Sequence, residues 1–191
     1  MKVIGINGNY GSAASTALDV YLMADSALQF NRRPLFLPDF APAYTAQAAL
    51  VVRIGRMGRH IAPRFAHRYW DAVTVGMMVR ATGCEGLSDA ITRSFDGAAV
   101  LGTMVAVDEL SGAIEQVTLE ARVGDTLLCR GNASQLAVSI DEMIARLSQY
   151  YTFKTGDLIY TGEWGDALPV TINDRLSGTL DGRNVLEINV K

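Results

Sequence analysis

The chain has few of the residues that most often carry chemistry. Its 191 residues include only two cysteines and two histidines. Cys84 and Cys129 are far apart and match no metal-binding or dithiol spacing, so we expect two free thiols in a reducing compartment. His60 and His67 have no acidic partner at ligand spacing, and an exposed or capping role is the simpler interpretation of both.

A strong net charge and a long apolar run are also missing. The formal net charge is -3, which gives a nucleic-acid or anionic-membrane partner no electrostatic support. No apolar window reaches the roughly 18 residues of a membrane span, and the start "MKVIGINGNYGS" is unlike a signal peptide. We therefore expect a cytoplasmic protein. The one basic cluster, residues 53–68, is typical of a solvated face or an interface.

What the chain does have is a composition suited to strands and turns. It is 49% hydrophobic, with 18 glycines, and its length fits one domain over residues 1–191. The segment Gln116–Val123 alternates apolar and polar residues, as a half-exposed strand does. Further apolar runs of strand length are "VIGIN", "LVVRIG", "AVTVGMMV", "DLIYTG" and "NVLEINV".

Helical patterns are fewer. Ser139 and Glu142 form a capping-box pattern ahead of an apolar face, which predicts a helix from residue 140. Pro63 predicts the first position of a shorter helix that buries Phe65, Tyr69 and Trp70, and Ser88 is a candidate cap for a third. Because strands and helices do not alternate regularly, the pattern favours a predominantly β, α+β fold: a mixed sandwich or roll with a few peripheral helices.

Several blocks of the sequence resemble one known family. The segment "SQYYTFKTGDLIYTGEWGDALPVTINDRLSGTLDGRNVLEINV" is similar to the end of fumarylacetoacetate hydrolase family proteins, in the C-terminal-domain type. Upstream, "INGNYGSAAS", "AALVVRIGRMGRHI", "AHRYWDAVTVG" and "RSFDGAAVLG" resemble further family motifs. The blocks occur in the family's order along nearly the whole chain.

The resemblance implies a mixed β-sandwich roll that is usually dimeric. In active members it also implies a Mg²⁺ or Mn²⁺ site for hydrolysis, decarboxylation or isomerisation of keto acids. Its ligands are a Glu-x-Glu pair and an Asp, and these positions fall here at Gln47, Ala49 and Met78. An amide, a methyl group and a thioether are poor partners for a hard divalent ion, so we expect no metal and no other cofactor.

The catalytic positions that the resemblance implies are also replaced. The early histidine falls at Ala13, the lysine at Arg93, the glutamine at Cys129, and a threonine of the "TGTP" loop at Glu163. No general base remains at the first position, and arginine does not lose its proton near neutral pH. We therefore expect no catalytic residue at these four positions.

Retained and replaced residues together predict a possible pocket. Met78 and Arg80 lie two apart on one strand and face the same way, so Arg80 is expected near the metal position, with Glu163 as its ion-pair partner. Met77, Met78 and Trp164 then fill the remaining space; the equally supported alternative is that Met77 or Met78 is an ordinary core residue and Trp164 a surface aromatic residue. The full candidate pocket is Met78, Arg80, Arg93, Thr161, Gly162, Glu163 and Trp164.

Three functions follow as hypotheses. The first is a non-catalytic structural or regulatory subunit, as a homodimer or as a heterodimer with an active relative. The second is a keto-acid hydrolase or isomerase with a rearranged or metal-free site, or with Mg²⁺ or Mn²⁺; its candidate acids are Asp39, Asp71 and Glu163. The third is a metal-free module that binds a small carboxylate through the arginines Arg80, Arg93 and Arg130.

Overall fold

The computed structural model describes residues 1–10 and 17–191, and strands dominate this part of the chain. In chain order the strands are β1 (Val3–Asn7), β2 (Asp19–Met23), β3 (Leu28–Phe30), β4 (Ala43–Ile54), β5 (Trp70–Thr82), β6 (Ala99–Leu101), β7 (Val105–Ala106), β8 (Thr118–Val123), β9 (Thr126–Asn132), β10 (Leu158–Tyr160), β11 (Trp164–Val170), β12 (Arg175–Leu180) and β13 (Arg183–Asn189). The α-helices are α1 (Asp89–Ser94) and α2 (Ile140–Tyr150), and short 3₁₀ helices are Asp25–Ala27, Pro63–Arg68, Val107–Glu109 and Ala133–Gln135.

The strands form two sheets, a larger mixed sheet and a smaller antiparallel sheet. The larger sheet has the order β2-β1-β10-β4-β5-β6-β3, with β11 also paired to β4 and β7 to β5. Its pairs β1–β10 and β3–β6 are parallel, and its other pairs are antiparallel. The smaller sheet has the order β13-β12-β8-β9 and is antiparallel throughout. This architecture confirms the predicted α+β, mainly β class.

Strands β4 and β5 form the centre of the larger sheet. They pair antiparallel from Ala43–Thr82 to Ile54–Trp70, and most of their side chains are buried on both faces. Because side chains alternate along a strand, one face of the pair joins the main core and the other joins a smaller apolar cluster. Met77 belongs to the main core and Met78 to the smaller cluster.

The main core lies between the two sheets. A β-carbon at Gly178 of β12 would lie only 2.7 Å from Cγ1 of Val75 on β5, so the sheets pack closely there. Helix α2 covers part of this core with Met143, Ile144 and Leu147, which are at most 1% exposed.

Most of the predicted elements are confirmed. The runs "VIGIN", "LVVRIG", "AVTVGMMV", "DLIYTG" and "NVLEINV" all contribute strands. In β8 the residues Leu119, Ala121 and Val123 are buried while Thr118 is exposed, which is the predicted alternation. Ser139 caps α2, because its Oγ accepts a hydrogen bond from the backbone N–H of Glu142 at 3.3 Å.

Two details of the helix predictions are wrong. Pro63 begins a 3₁₀ helix whose buried residue is Ala66, whereas the ring of Phe65 is 39% exposed. Six residues of 3₁₀ helix give a narrow contact face, which a methyl group fills and a ring does not. Ser88 occupies the N-cap position of α1, but its side chain makes no capping hydrogen bond there.

Within residues 1–10 and 17–191, every helix is too short or too polar to cross a membrane.

A buried aspartate joins the N-terminus to the middle of the larger sheet. Asp157 is fully buried just before β10, and its carboxylate accepts hydrogen bonds from the backbone N–H groups of Lys2 at 2.7 Å and Lys154 at 2.8 Å. The Lys2 ammonium lies 2.6 Å from the same carboxylate. One side chain therefore satisfies two backbone donors and a cation next to the β1–β10 pair.

Replacing this carboxylate should destabilise the fold. We expect Asp157→Ala to lower the free energy of unfolding by about 2–3 kcal/mol, because two backbone N–H groups lose their acceptor. Urea denaturation measures the change. Asp25→Ala is the control, since Asp25 is exposed and lies 4.0 Å from the N-terminal ammonium; we expect it to stay within about 0.5 kcal/mol of wild type. Equal effects of the two substitutions would contradict this assignment.

Candidate functional site

The three positions that the resemblance assigns to metal ligands lie side by side. Gln47 of β4 pairs directly with Met78 of β5, and Ala49 pairs with Gly76, so their side chains share one face of the sheet. The Gln47 Nε2 atom donates a hydrogen bond to the carbonyl oxygen of Gly165 at 3.0 Å. The side chain of Ala49 is buried, and that of Met78 is 7% exposed.

The chemistry of these donors does not fit Mg²⁺ or Mn²⁺. Both ions favour carboxylate, carbonyl and water oxygens, and this face offers one amide oxygen, a methyl group and a thioether. Across residues 1–10 and 17–191, no group of three or more His, Cys, Asp or Glu is arranged to hold a metal ion. The donor set therefore disagrees with the ion that the resemblance implies.

A tyrosine from the edge strand covers the Met78 side of this face. Tyr21 of β2 lies over β1, where a β-carbon at Gly5 would be 2.2 Å from the Tyr21 Cζ atom. Its hydroxyl group donates a hydrogen bond to the Met78 sulfur. Burial raises the pKa of Tyr21, and the negative charge of Glu163 raises it further, so the phenol stays protonated at physiological pH.

Arg93 is the centre of the polar part of the site. It lies near the end of α1 and is only 15% exposed. Its NH1 group donates hydrogen bonds to Asn7 Oδ1 at 2.7 Å and to Glu163 Oε1 at 3.1 Å. Its Cζ atom lies 5.1 Å from the centre of the Tyr21 ring, within cation–π range.

One donor of Arg93 is left over. The buried Nε atom has no hydrogen-bond partner among the residues that the structure describes, although Asp89 Oδ2 lies 3.5 Å away. A buried guanidinium N–H without an acceptor is unfavourable, so an acceptor that reached it would gain a charge-assisted hydrogen bond.

Glu163 is a half-buried carboxylate with both positively and negatively charged side chains nearby. Burial raises its pKa above the ordinary value of 4.5, the charges of Arg93 and Arg80 lower it, and Asp19 and Asp89 raise it again. The net direction is upward. A carboxyl group tuned in this way releases and takes up a proton closer to neutral pH than an exposed glutamate does.

A cavity opens beside this cluster, between β2 and α1. Its volume is about 310 Å³, large enough for a small organic acid, and we call it the Arg93 cavity. Its lining residues are Asn7, Asp19, Tyr21, Leu22, Asp89, Ala90, Arg93 and Ser94. Of these, Asn7 holds both Arg93 and, through Nδ2, the Asp19 carboxylate at 2.9 Å.

The prediction that Arg80 pairs with Glu163 is wrong, because each of the two residues has a different partner. Arg80 NH2 binds Asp89 Oδ1 at 2.8 Å, and Glu163 binds Arg93 instead. Both arginines approach the same aspartate, because Asp89 Oδ2 faces Arg93. Arg80 thus lies near enough to Glu163 to influence its pKa while being paired elsewhere.

Met77 and Trp164 do not fill the predicted pocket. Trp164 pairs with Ala48 of β4 and belongs, like Met77, to the main core on the opposite face. Its ring stacks on Tyr10 with centroids 4.4 Å apart. The alternation of side chains along β5 separates Met77 from Met78, and only Met78 contacts Tyr21.

Thr161 and Gly162 are structural residues of the loop that follows β10. Asn9 Nδ2 donates to the Thr161 carbonyl at 2.8 Å, and the Thr161 hydroxyl lies 3.0 Å from both the Tyr10 hydroxyl and the Leu50 carbonyl. At Gly162 the backbone has φ of 147°, and a β-carbon would lie 2.9 Å from that of Asn9. These contacts hold the residue before Glu163 in place.

The remaining candidate positions lie away from the cluster. Burial raises the pKa of Cys129 to about 12, which keeps the thiol protonated. Arg130 binds Glu120 through Nε at 2.8 Å, so it does not join Arg80 and Arg93 in one carboxylate site. Asp71 binds Arg53 at 2.8 Å, and Ala13 lies outside the described residues.

Three residues of the site were not predicted from sequence. Asp89 precedes Arg93 by four positions, which is the spacing of an ion pair on a helix, so a signal existed. The second is Tyr21, for which Gly5 was a weak signal, because a glycine within a strand can mark the close approach of another group. The partnership of Asn7 with Arg93 spans 86 positions, and the sequence carries no local sign of it.

The raised pKa of Glu163 should make stability depend on pH. The folded state holds this proton more tightly than the unfolded state, so the stabilisation is complete below pH 4.5 and is lost as pH rises through the folded pKa. We expect the Tm of wild type, relative to Glu163→Gln, to fall between pH 4 and pH 7. Each kcal/mol corresponds to about 2–4 °C in a chain of this size.

Glu85→Gln is the control for the change in net charge, because Glu85 is an exposed side chain. A Tm difference between wild type and Glu163→Gln that stays constant with pH, measured by differential scanning fluorimetry, would show that Glu163 does not titrate differently in the folded protein.

Comparisons with known proteins agree with the fold and with the sequence resemblance. An oxaloacetate tautomerase of Escherichia coli, YcgM, is 23% identical over 96% of this chain and 90% of that protein. The crystal structure of fumarylpyruvate hydrolase from Pseudomonas aeruginosa, in complex with Mn²⁺ and pyruvate, superposes with a TM-score of 0.89 at 21% identity over 100% of this chain and 89% of that one.

Maleylpyruvate hydrolase from Sphingobium sp. SYK-6 superposes with a TM-score of 0.86 at 22% identity, over 100% of this chain and 71% of that one. At these identities the structural likeness concerns the fold. The family model described as fumarylacetoacetate (FAA) hydrolase C-terminal matches residues 7–187. The chain therefore belongs to the fumarylacetoacetate hydrolase family, as a member of its C-terminal-domain type.

Proposed function

We propose that this chain catalyses keto–enol tautomerisation of a small keto acid without a divalent metal ion. The observation that carries the proposal is the Arg93–Glu163 pair: a buried guanidinium with an unused donor, 3.1 Å from a carboxylate whose pKa is raised. Relatives named as oxaloacetate tautomerases support this reaction class.

Arg93 is the anchor for the substrate carboxylate. Its Nε and NH2 groups lie on one edge of the guanidinium and together present the planar donor fork that binds a carboxylate through two hydrogen bonds. The Arg93 cavity gives a small acid access to this fork. Binding of the acid brings a second negative charge close to Glu163, which then takes up a proton from solvent because burial and the like charge both disfavour its ionised form.

Protonated Glu163 is the general acid for the enol-to-keto direction. Its proton goes to the enol carbon, the electron pair of the C=C bond forms the new C–H bond, and the C–O bond becomes C=O as the hydroxyl proton leaves to water. Glu163 ends as a carboxylate and is protonated again from solvent. The reverse reaction uses the same group as a base.

Tyr21 is the hydrogen-bond donor to the reacting oxygen. Its phenol keeps its proton because burial raises its pKa. In the free protein its hydrogen bond goes to the Met78 sulfur, a weak acceptor, so exchange for an enolate oxygen is favourable. Tautomerisation needs one anchor, one proton carrier and one donor, whereas C–C hydrolysis also needs an activated water.

A non-catalytic role is the second candidate. The observation that favours it is the neutral, apolar face of Gln47, Ala49 and Met78, which Tyr21 covers. On this alternative the Arg93–Glu163 pair closes the former site and stabilises a scaffold. The two candidates differ in turnover, which can be measured directly.

The activity test is the decay of the enol absorbance of oxaloacetate in buffer that contains EDTA. We expect wild type to accelerate the decay, and Glu163→Gln to slow the enzymatic rate by at least about 100-fold, because it removes the proton carrier. Arg93→Gln should chiefly raise KM. Arg130→Gln, at an arginine paired with Glu120, is the control and should keep wild-type rates.

Absence of acceleration in EDTA, or full activity of Glu163→Gln, would contradict the tautomerase proposal. Absence of activity with EDTA and with added Mn²⁺ alike would leave the non-catalytic role as the better account.

Metal independence has its own test. Calorimetric titration of wild type with Mg²⁺ or Mn²⁺ should give no binding heat, because the aligned positions provide no carboxylate. The triple variant Gln47→Glu, Ala49→Glu, Met78→Asp should gain binding, since the three side chains share one face. The matched control keeps Gln47 and carries Ala49→Gln and Met78→Asn, which add polar volume without charge. Micromolar binding by wild type would overturn this part of the proposal.

A further inference from the structure

A second feature of the molecule lies on the surface formed by residues 56–68. This segment contains four exposed arginines, Arg56, Arg59, Arg64 and Arg68, and no acidic residue. In the part of the chain that the structure describes, none of the four has a carboxylate oxygen within 4.0 Å. We call this segment the arginine surface.

Arginines elsewhere in the molecule are mostly paired. Eight of them form ion pairs with carboxylates: Arg53, Arg80, Arg93, Arg122, Arg130, Arg146, Arg175 and Arg183. The fold thus supplies acidic partners for most of its arginines and leaves this surface uncompensated, although the chain as a whole is negative.

The arginine surface is an ordered part of the fold. Gly58 and Phe153 exchange two backbone hydrogen bonds, at 3.2 and 2.8 Å. The backbone N–H groups of His60 and Ile61 donate to the carbonyl and the hydroxyl of Ser148. These contacts fix the segment against the C-terminal end of α2.

Aromatic rings hold the guanidinium groups in place. The Phe65 ring has Arg64 at 4.7 Å and Arg68 at 5.2 Å from its centre, and the Tyr69 ring has Arg56 at 5.9 Å. Such cation–π contacts restrict the arginine side chains, which lowers the entropy that binding would cost.

Exposed apolar side chains complete the surface. Met57 is 67% exposed, Phe65 39%, and Tyr150, at the adjacent end of α2, 78%. Arginine, tyrosine, phenylalanine and methionine are the residues enriched in protein–protein interfaces. Exposed apolar side chains that are rimmed by polar residues mark interaction sites on protein surfaces.

We propose that the arginine surface docks an acidic segment of another protein, one that carries apolar side chains between its carboxylates. Carboxylates would pair with the guanidinium forks, and apolar side chains would cover Met57 and Phe65. A second copy of this chain is a poorer occupant, because a two-fold interface would bring like charges together. Nucleic acid and anionic lipid headgroups are poorer too, because they present phosphates without apolar side chains between them and would leave Met57 and Phe65 uncovered.

The test uses a fluorescein-labelled peptide in which glutamate alternates with leucine and tyrosine, followed by fluorescence anisotropy. The full chain should bind it, and Arg64→Gln/Arg68→Gln should weaken the Kd by at least about tenfold. Arg32→Gln/Arg33→Gln is the matched control. Those two arginines are also exposed, also lack a carboxylate within 4.0 Å among the described residues, and include a ring contact, Arg33 with Phe30 at 5.9 Å.

The proposal would be supported if Arg32→Gln/Arg33→Gln changed the Kd of the peptide by less than about twofold and if higher salt weakened binding to wild type. Absence of peptide binding at low salt, or equal loss in both double variants, would overturn it. So would tighter binding of single-stranded DNA or phosphatidylserine vesicles that Arg64→Gln/Arg68→Gln abolishes. Self-association in sedimentation experiments that the same variant abolishes would identify a second copy as the occupant and would also overturn it.

Discussion

The antiparallel pairing of β4 with β5 is the constraint on which the rest of the molecule depends. These two long strands are buried on both faces, so a shift of one residue in their register would exchange two complete sets of side chains. The observed register places Gln47 opposite Met78 on the site face and Met77 in the core between the sheets. Every other contribution to the site is positioned against this pair: Tyr21 from the edge, Arg93 from the following helix, and Glu163 from the loop after β10.

Charge around the site is arranged differently from charge at a metal centre. A divalent ion needs several anionic oxygens in one place, whereas here the neutral amide of Asn7 and the guanidinium of Arg93 lie between the carboxylates of Asp19 and Glu163. The guanidinium supplies positive charge that cannot be lost by dissociation or by chelation. In the proposed tautomerase this guanidinium would anchor the substrate carboxylate, and no Lewis acidity of a metal would be needed.

Much of the fold could be predicted from the sequence, because the decisive signals are local. Apolar runs of strand length and the alternation in Gln116–Val123 report directly on burial, and Ser139 reports on a helix start. Phe65 was the exception among these. An aromatic residue in a helical pattern predicts burial, but a 3₁₀ helix of six residues turns its ring outward, where Arg64 and Arg68 contact it.

The candidate site could be predicted only in part. Shared faces of β4 and β5 follow from strand periodicity, so Gln47, Ala49 and Met78 could be grouped in advance. The partner of Glu163 could not, because Arg93 reaches it from a helix 70 positions away in the sequence, while Arg80 pairs with Asp89. Tyr21 lies on a short edge strand, and Met78, to which its hydroxyl group donates, is 57 positions away in the sequence. Only the folded chain brings the two residues together.

The loop after β10 contains two residues of the family motif that have structural roles. Asn9, Tyr10 and Leu50 pack and hydrogen-bond against Thr161 and Gly162, so these two positions of the "TGTP" loop tolerate little change. Packing and hydrogen bonding are enough to constrain these two residues, whatever chemistry the neighbouring positions carry. Residues that join the strands of this fold can therefore identify the family even when they take no part in a reaction.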